Sequence, residues 1–352
     1  MAITDLRVII IAPKTTRCGI ADYSDQLMTH LQPLVTSCQI LEPSEYFPGQ
    51  ADLVHIQHQY FFYGGVAPWK NRFPQFLTKV VEPVVLTAHE FVEETGSPLV
   101  KSSIKWTNRK QFKSNLIKRI IVHTNRDREL LISSGVDSSR VTVIRLGIPE
   151  LHLSEDREGA KSEFGLAGKS VITLLGFFSA KKGHREAVDA IKDLPEECVL
   201  LIAGGKHPDD MTSYTTDLAT YIEETGLSKR VLITGYLSPK KLEMAVTATD
   251  IFLAPFKQSS GSASLSLALA SGRPIVVSDI EPHREIEGES PGSLTLYKLG
   301  DLNDLVEKIK QVLNTDLANG NPAAAEYCRK HSFAEVARQT VDLYQSVLSR
   351  KS

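Results

Sequence analysis

Short apolar runs alternate with helical patterns along almost the whole chain. The first run, RVIIIA, occupies residues 7–12, and the next segment, residues 21–34, places Tyr23, Leu27 and Leu31 on one side of a predicted helix. The apolar runs show no period-two alternation, which is typical of strands that are buried on both faces. Strands that alternate with helices in this way predict a parallel sheet covered by helices.

A polar stretch with three glycines, residues 150–170, divides this pattern into two halves. In the first half, a predicted helix over residues 125–134 ends before Gly135, which suits a left-handed C-cap. The predicted strands are residues 7–12, 52–56, 84–87, 119–122 and 141–144, then 171–175, 199–203, 231–234, 251–254 and 275–277. Further helices are predicted near residues 184–191, 211–224, 239–248, 262–270, 302–313 and 333–348.

This organisation predicts an α/β protein with two doubly wound, Rossmann-like domains in tandem. We predict an N-terminal domain at residues 1–155, a second domain at 156–330, and a C-terminal helix at 331–352 that packs back toward the first domain. Open α/β sheets bind ligands at the carboxyl ends of their strands, so we expect the ligand in the interdomain cleft.

Composition narrows the function classes. The 352 residues carry a formal net charge of −2, which gives no overall field for nucleic acid. We expect a cytoplasmic protein, because the N-terminus lacks a signal-peptide pattern and no apolar run approaches the roughly 20 residues of a membrane span. The four cysteines lack zinc spacing and fit reduced thiols; they are Cys18, Cys38, Cys198 and Cys328.

Three loops at predicted strand ends carry residues that suit an anion. Residues 15–20 lead into a helix at Gly19, and residues 176–183 place Lys182 before a glycine at a helix start. The third loop is serine-rich, and its backbone N–H groups and hydroxyls can cradle phosphate; it contains Ser259, Ser260, Gly261, Ser262, Ala263 and Ser264. Three such sites facing one cleft indicate a nucleotide diphosphate ligand. A plain turn, a solvated lysine and ordinary serine capping are the structural alternatives.

Two further segments have a distinctive composition. Residues 55–65 carry aromatic side chains after a strand, and they either stack on a sugar or pack against the core. The stretch from Lys101 to Arg119 is basic, and on a helix it would form a drifting stripe interrupted by Phe112. Such a stripe is either a solvated face or a peripheral contact with anionic lipid at the inner face of a membrane.

The ordered set of motifs resembles the retaining glycosyltransferases of family 4, which have the GT-B fold. The matching segments are CGIADYSDQL, VVLTAHE, RIIVHTNRDRELL with VTVIRLGIPE, LLGFFSAKKGH, RVLITGYLS with ATDIFLAPF, and ALASGRPIVVSD. The resemblance implies transfer of a sugar from a nucleotide diphosphate sugar, such as a UDP- or GDP-sugar, to an acceptor hydroxyl. It implies an acceptor-side N-terminal domain, a nucleotide-sugar-binding C-terminal domain, no divalent metal and no other cofactor. The acceptor would be a glycan, a lipid-linked sugar or a small molecule.

The resemblance also implies roles for individual residues. Gly19 would lie against the donor diphosphate and His89 beside the donor sugar, while Lys182 and the loop 261–264 would bind the diphosphate. We therefore assign catalysis to His89 and Lys182. Ser259 and Ser260 would lie near the donor sugar or ribose. The acceptor would contact His58, Tyr60 and Phe61.

The chain departs from the family pattern at three positions. Phe177 stands where the family has an arginine, and Ser259 and Leu267 stand where it has a pair of glutamates eight positions apart. A leucine cannot accept a hydrogen bond from a ribose hydroxyl. Two alternative functions therefore stay open: a nucleotide-sugar-binding homologue without catalysis, and a sugar-nucleotide epimerase on the same fold.

Overall fold

The structure is a computed structural model that describes residues 4–14, 18–92, 96–206, 213–315 and 320–349. Its contacts divide the chain into two compact units. Unit 1 consists of Met1–Gly147 and His331–Ser352, and unit 2 of Ile148–Lys330. Thr15, Thr16 and Arg17 of the first predicted anion loop, and residues 211–212 of the predicted helix 211–224, lie outside the described residues.

Each unit contains one six-stranded parallel sheet. The strands of unit 1 are β1 (Thr4–Ile11), β2 (Val35–Leu41), β3 (Leu53–His58), β4 (Val84–Ala88), β5 (Ile117–Val122) and β6 (Val141–Val143). The strands of unit 2 are β7 (Ser170–Leu175), β8 (Cys198–Ala203), β9 (Val231–Ile233), β10 (Ile251–Ala254), β11 (Ile275–Ser278) and β12 (Thr295–Tyr297).

Thirteen α-helices are present in the described part of the chain. They are α1 (Gly19–Leu31), α2 (Phe73–Leu77), α3 (Pro98–Phe112), α4 (Asn125–Ser133), α5 (Arg157–Ser162), α6 (His184–Lys192), α7 (Tyr214–Glu224), α8 (Pro239–Ala248), α9 (Ala263–Ala270), α10 (Glu281–Glu289), α11 (Leu302–Leu313), α12 (Pro322–Lys330) and α13 (Phe333–Leu348). The final helix, α13, belongs to unit 1, where Phe333 and Val336 share a core cluster with Leu27 and Leu31 of α1.

The strand order locates the ligand-binding edge of each sheet. Sheet 1 has the order β2-β1-β3-β4-β5-β6, and sheet 2 the order β12-β11-β10-β7-β8-β9. The direction of winding reverses between β1 and β3 in unit 1, and between β7 and β10 in unit 2. In doubly wound sheets, ligands bind outside the carboxyl ends of the strands at such switch points. The loops after β1, β3, β7 and β10 are therefore the first places to look for a site.

The predicted fold class is confirmed: both halves are doubly wound parallel sheets. The central strands β3, β4 and β8 are buried at every position, as expected for strands covered on both faces. Gly135 has a φ of +89°, as expected for a residue that ends α4.

Several elements were missed by the pattern analysis. The edge strand β2 mixes buried and exposed residues, and β12 has only three residues, so neither gives a long apolar run. The short helix α5 occupies part of the polar stretch that divides the two halves.

The basic stretch 101–119 does not form one helix. Helix α3 ends at Phe112, and β5 begins at Ile117, so Lys118 and Arg119 lie on a strand and leave the predicted stripe. The buried face of α3 is mainly polar and holds neighbouring loops: Thr107 Oγ1 donates to the Val66 carbonyl at 2.7 Å, and Asn108 Nδ2 donates to the Val92 carbonyl at 3.0 Å.

Candidate functional site

The two loops at the switch point of sheet 2 are joined to each other. The loop after β7 begins at Gly176, and the loop after β10 contains Phe256 and Lys257. The backbone N–H of Lys257 donates to the carbonyl of Lys181 at 2.7 Å, which ties the second loop to the first. Both loops therefore present their residues at one edge of the sheet, where an anion would meet them.

Lys182 connects these loops through its side chain. Its Nζ donates to the Leu175 carbonyl at 3.1 Å and to Ser264 Oγ at 3.2 Å, and it lies 5.2 Å from the centre of the Phe256 ring. The side chain is half-buried, and burial lowers the pKa of the ammonium group to about 8. Both hydrogen-bond acceptors are neutral. The charge is therefore held in position without a carboxylate partner.

Gly176 makes room for this ammonium group. It has a φ of +105°, and a Cβ atom at this position would lie 2.4 Å from Lys182 Nζ. A side chain here would strain the backbone and displace the lysine. Glycine is therefore favoured at position 176 for two reasons: the positive φ and the lack of space for a side chain.

The serine-rich loop forms the start of α9. Ser262 is the N-cap residue, and its Oγ accepts from the N–H of Leu265 at 3.3 Å and lies 2.9 Å from Ser264 Oγ. The N–H groups of Ala263 and Ser264 precede the helix's own hydrogen bonds. Capping and anion binding are compatible here, since one hydroxyl satisfies one donor and leaves the first-turn amides directed outward.

The two positions where the family carries glutamates have different environments. Ser259 Oγ accepts from the backbone N–H of Gly261 at 3.3 Å, so it stabilises the turn, in which Gly261 has a φ of +131°. Leu267 packs against the hydrophobic core cluster of unit 2. Neither position supplies a carboxylate.

Phe177, at the family's arginine position, belongs to an aromatic pair. Its ring stacks on Tyr236, with centroids 6.2 Å apart and an angle of 22° between the planes. Tyr236 lies in the loop after β9 and is 54% exposed. An aromatic face thus stands at this edge of sheet 2 in place of a positive charge.

In unit 1, His89 follows β4 and lies in a buried histidine cluster. The Nε2 atom of His89 is 2.8 Å from Gln57 Oε1, and its Nδ1 atom is 3.3 Å from His123 Nε2. The ring of Tyr23, on α1, meets the ring of His89 edge-on at 5.1 Å. The cluster continues through Gln57 Nε2, which is 3.4 Å from Nε2 of His55.

Proton positions in this cluster follow from its one fixed acceptor, the Ile144 carbonyl. His123 Nδ1 is 2.9 Å from that oxygen and must donate to it. If Gln57 Oε1 faces His89, His89 Nε2 donates a hydrogen bond to it. His89 Nδ1 then accepts a hydrogen bond from His123 Nε2, so both ring nitrogens of His123 carry a proton. Turning the Gln57 amide by half a turn reverses both bonds and leaves both rings neutral. The two arrangements differ by one proton.

Burial favours the neutral arrangement. It lowers the pKa of His123 to about 4, and the charge of Arg145 adds to that shift. Burial also holds the pKa of His89 well below its usual value, with a further contribution from His123. The pKa of His55 is lowered by burial to about 3. At neutral pH the cluster presents uncharged imidazole groups.

Gly19 is the first residue of α1, and its N-cap residue, Cys18, makes no capping hydrogen bond through its side chain. The same helix carries Tyr23, whose ring contacts His89, so this contact fixes the start of α1 relative to His89. Asp22 lies in the first turn, and burial raises the pKa of its carboxyl group.

The predicted acceptor residues are only partly at the surface. His58 is fully buried, with its ring stacked on Tyr63 and edge-on to Phe73. Tyr60 is also buried, and its hydroxyl donates to Asn108 Oδ1. Phe61 is 53% exposed.

Comparison with known proteins identifies the chain. Residues 39–150 match the family model described as Glycosyltransferase Family 4, and residues 169–315 match the model described as Glycosyl transferases group 1. The two matches follow one another and together cover well over half of the chain. The chain belongs to the family 4-type glycosyltransferases.

Individual relatives of this glycosyltransferase agree. It is 25% identical to the D-inositol 3-phosphate glycosyltransferase of Mycolicibacterium smegmatis, over 86% of this chain and 69% of that protein. It is also 25% identical to the 2-deoxystreptamine N-acetyl-D-glucosaminyltransferase of Niallia circulans, over 72% of this chain and 65% of that one. The structure of Anabaena HepE in complex with UDP-glucose aligns with a TM-score of 0.76 at 14% identity, covering 97% of this chain and 100% of that chain. The last likeness concerns the fold.

The structure brings together some of the predicted site residues of the glycosyltransferase. Lys182, Ser262 and Ser264 form one hydrogen-bonded group in unit 2, with Ser259 in the turn beside it. His89 and Gly19 both lie at the carboxyl edge of sheet 1. His58 and Tyr60 require correction as acceptor contacts, because their side chains lie in the core; Phe61 keeps an accessible ring.

Sequence reasoning missed Gln57, His123 and Tyr236 as neighbours of the site. A signal for His123 was present, since it follows β5 as His89 follows the adjacent strand β4. Within the described part of the chain, no group of three or more His, Cys, Asp and Glu side chains is arranged to hold a metal ion. None of the described helices is long and apolar enough to cross a membrane.

Proposed function

We propose that this glycosyltransferase moves a sugar from a UDP- or GDP-sugar to an acceptor hydroxyl with retention of the anomeric configuration. One observation carries the proposal: Lys182 Nζ lies 3.2 Å from Ser264 Oγ, at the switch point of sheet 2. A mobile surface lysine would not be held between a strand carbonyl and the first turn of a helix. The HepE structure with UDP-glucose supports a nucleotide sugar as the donor.

The chemistry that these residues supply is electrostatic. When the bond between the sugar and the diphosphate breaks, negative charge grows on the leaving diphosphate. Lys182 and the free N–H groups of Ala263 and Ser264 are fixed in advance where they can stabilise that charge. Because the protein provides the positive field, we assign no role to a divalent metal.

His89 takes a different part in the proposed reaction. Its half-buried ring carries no charge at neutral pH. Both ring nitrogens are already engaged, Nε2 by Gln57 and Nδ1 by His123, so its contact with the donor sugar is made through the edge or face of the ring. We assign it to the donor sugar, with Gln57 and His123 fixing the orientation of the ring. A general base is not needed if an oxygen of the diphosphate takes the acceptor proton.

A nucleotide-sugar-binding protein without turnover is the second candidate. The observation that favours it is the absence of a carboxylate at Ser259 and Leu267, since Leu267 packs on the core and cannot accept a ribose hydroxyl. In this case the phosphate contacts persist while the sugar is no longer held for reaction.

Thermal-shift measurements with UDP-, GDP- and ADP-sugars, with and without EDTA, test the proposal first. A ligand that binds the native state raises the unfolding temperature. We expect stabilisation by one nucleotide class that EDTA leaves unchanged, followed by product formation with a saccharide acceptor. Binding that disappears with EDTA and returns with manganese would contradict the metal-independent mechanism. Tight binding without turnover over a broad acceptor panel would favour the second candidate.

We also propose that α3 contacts an anionic membrane surface peripherally. Its outer face combines the exposed cations Lys101, Lys105 and Arg109 with Leu99, which is 85% exposed, and Trp106. Basic residues next to exposed apolar side chains are typical of interfacial helices. Sedimentation with vesicles of phosphatidylcholine and phosphatidylglycerol should recover the wild-type protein and lose the triple variant Lys101→Ala, Lys105→Ala, Arg109→Ala. Equal recovery of both would contradict the contact.

A further inference from the structure

Unit 1 contains a cavity of about 700 Å³ that is separate from the lysine and histidine groups described above. Pro43 and Ser44, which follow β2, and Phe62, which follows β3, contribute to its lining. Both strands run parallel to β1. The cavity therefore opens at the carboxyl edge of sheet 1, the edge at which Gly19 and His89 also lie.

The charge of this cavity is positive. Its lining includes the exposed side chains of Lys70, Arg72 and Lys79 and has no Asp or Glu. In the part of the chain that the structure describes, no side-chain hydrogen bond or ion pair engages these three cations. Two acidic side chains close in sequence to the lining pair elsewhere: Glu45, which follows Ser44, pairs with Lys14 at 2.6 Å, and Glu82 accepts from the Gly49 N–H at 2.7 Å and from the Tyr46 hydroxyl. Three unpaired cations around one cavity favour an anionic ligand.

The cavity also presents an aromatic surface. Trp69 is 80% exposed, and the half-buried ring of Phe62 lies in the same lining. A tryptophan gains stabilisation by burying its large apolar face, and the apolar face of a sugar ring is a suitable partner. Cations beside an exposed indole therefore fit a saccharide that carries negative charge.

Hydrogen bonds to backbone carbonyls hold the loop that contains Trp69. The N–H of Arg72 donates to the Tyr63 carbonyl at 2.7 Å, and Asn71 Nδ2 donates to the Gly65 carbonyl at 2.9 Å. Gly64 has a φ of +91°, and a Cβ atom there would lie 2.2 Å from the Lys70 carbonyl oxygen. A loop closed this tightly loses little conformational entropy when a ligand binds.

We propose that this cavity binds a saccharide bearing phosphate or carboxylate groups, as the anionic part of the acceptor. The proposal rests on the proposed function, since it names the chemical class of the acceptor. The cations contact the anionic group and Trp69 stacks on the sugar ring. A free sugar phosphate and a phosphorylated glycan share this chemistry.

Tryptophan fluorescence tests the cavity directly. The chain has two tryptophans, so Trp106→Phe leaves Trp69 as the single reporter. In this background, without nucleotide sugar, glucose 6-phosphate should change the emission saturably, whereas methyl glucoside should not. The triple variant Lys70→Ala, Arg72→Ala, Lys79→Ala should weaken binding at least tenfold. Addition of 0.5 M NaCl should do the same, because it shortens the screening length of electrostatic interactions to a value between about 3 and 10 Å. The charge-matched control Lys229→Ala, Lys240→Ala, Lys310→Ala should bind like the parent, with thermal unfolding confirming that both triple variants are folded.

Three results would overturn the inference: no saturable change with glucose 6-phosphate, equal weakening by the control triple, or the same response to inorganic phosphate as to the sugar phosphate. A phosphorylated oligosaccharide in a parallel titration distinguishes the two sources, because tighter binding than glucose 6-phosphate indicates a glycan and equal binding a free sugar phosphate. The measurement is independent of the donor. Transfer activity without cavity binding would refute this inference alone, whereas cavity binding without any nucleotide-sugar binding would refute the proposed function.

Discussion

The role of Lys182 can be tested by removing its charge while keeping its stem. Lys182→Met retains most of the aliphatic stem but loses the ammonium group, which lies over the Phe256 ring and donates to the Leu175 carbonyl and Ser264 Oγ. We expect weaker binding of UDP or GDP, whichever nucleotide the protein prefers, and little change for the corresponding nucleoside. A nucleoside has no phosphate for the lysine to contact.

The size of the effect follows from the character of the bond. A hydrogen bond between charged partners contributes roughly 1.5–3 kcal/mol, which corresponds to about a 10- to 140-fold change in Kd. The upper part of this range is expected, because Phe177 replaces the second positive side chain of the family pattern. Lys182→Ala should lose at least as much affinity, since it removes the same charge together with the aliphatic stem.

The lowered pKa of Lys182 adds a pH signature. Burial lowers the pKa to about 8 in the free protein, so the group is mostly charged at pH 7 and mostly neutral at pH 9.5. A bound diphosphate favours the charged form and raises the pKa again. Affinity should therefore fall as the pH rises from 7.5 to 9.5, a range above the last phosphate ionisation near pH 6. In Lys182→Met this fall should be absent.

Calorimetric titration of nucleoside diphosphate and nucleoside provides the measurement, with Lys181→Ala as the matched control. Lys181 is the adjacent exposed lysine, and only its backbone carbonyl takes part in the loop contact with Lys257. Equal weakening of diphosphate and nucleoside by Lys182→Met would refute the phosphate assignment. So would a loss of diphosphate affinity in Lys181→Ala of the same size.

Three further predictions concern the remaining groups. His89→Ala should lower turnover at least tenfold, about 1.4 kcal/mol of barrier, in a protein that still folds; unchanged turnover would return His89 to a structural role. Ser262→Pro should impair diphosphate binding in calorimetry, because it removes an N–H and forces a φ of −140° toward about −65°, whereas Ser262→Ala should be milder, and equal losses would contradict a backbone contact. The free energy of unfolding should fall as the pH drops below about 6.5, by about 1.4 kcal/mol per pH unit for each histidine kept neutral by burial, until the lowered pKa values near 3 and 4 are reached. In chemical denaturation His58→Leu should reduce this acid sensitivity, since neither ring nitrogen of His58 has a hydrogen-bond partner among the described residues; an unchanged pH slope would contradict the assignment.

The fold was predictable because its strongest signals are local. Strand β8 is buried on both faces and gives an unbroken apolar run, and the serine-rich segment before α9 indicates where that helix begins. Edge strands are less visible, since three of the seven residues of β2 are exposed and polar residues interrupt its apolar ones. The grouping of Lys182 with Ser264 was also accessible, because both follow strand ends and parallel strands share one carboxyl edge.

The histidine cluster depends on register, which the sequence pattern does not define. Gln57 of β3 pairs with Thr87 of β4, and this places its side chain beside His89, two residues later. A shift of one residue would turn Gln57 to the other face of the sheet. The burial of Tyr60 depends on tertiary packing, since Asn108 reaches the Tyr60 hydroxyl only after α3 packs on the loops that follow β3 and β4.

The three departures from the family pattern, at Phe177, Ser259 and Leu267, do not all affect contacts with the same part of a nucleotide-sugar donor. The groups that we propose to act on a diphosphate lie together in unit 2: the lysine, the glycine that admits it, and the first-turn amides of α9. Ser259 and Leu267 stand at the positions that the family resemblance assigns to the sugar and the ribose, whereas Phe177 stands at the position of an arginine that it assigns to the diphosphate. An aromatic pair, Phe177 and Tyr236, lies at the same edge of the sheet and offers stacking where the family offers charge. Binding energy in this variant should therefore come mainly from the phosphates and from stacking. If so, removing the diphosphate from a ligand should cost more affinity than exchanging one sugar for another, and a transferase with this distribution of contacts must obtain its sugar selectivity from His89 and the residues of unit 1.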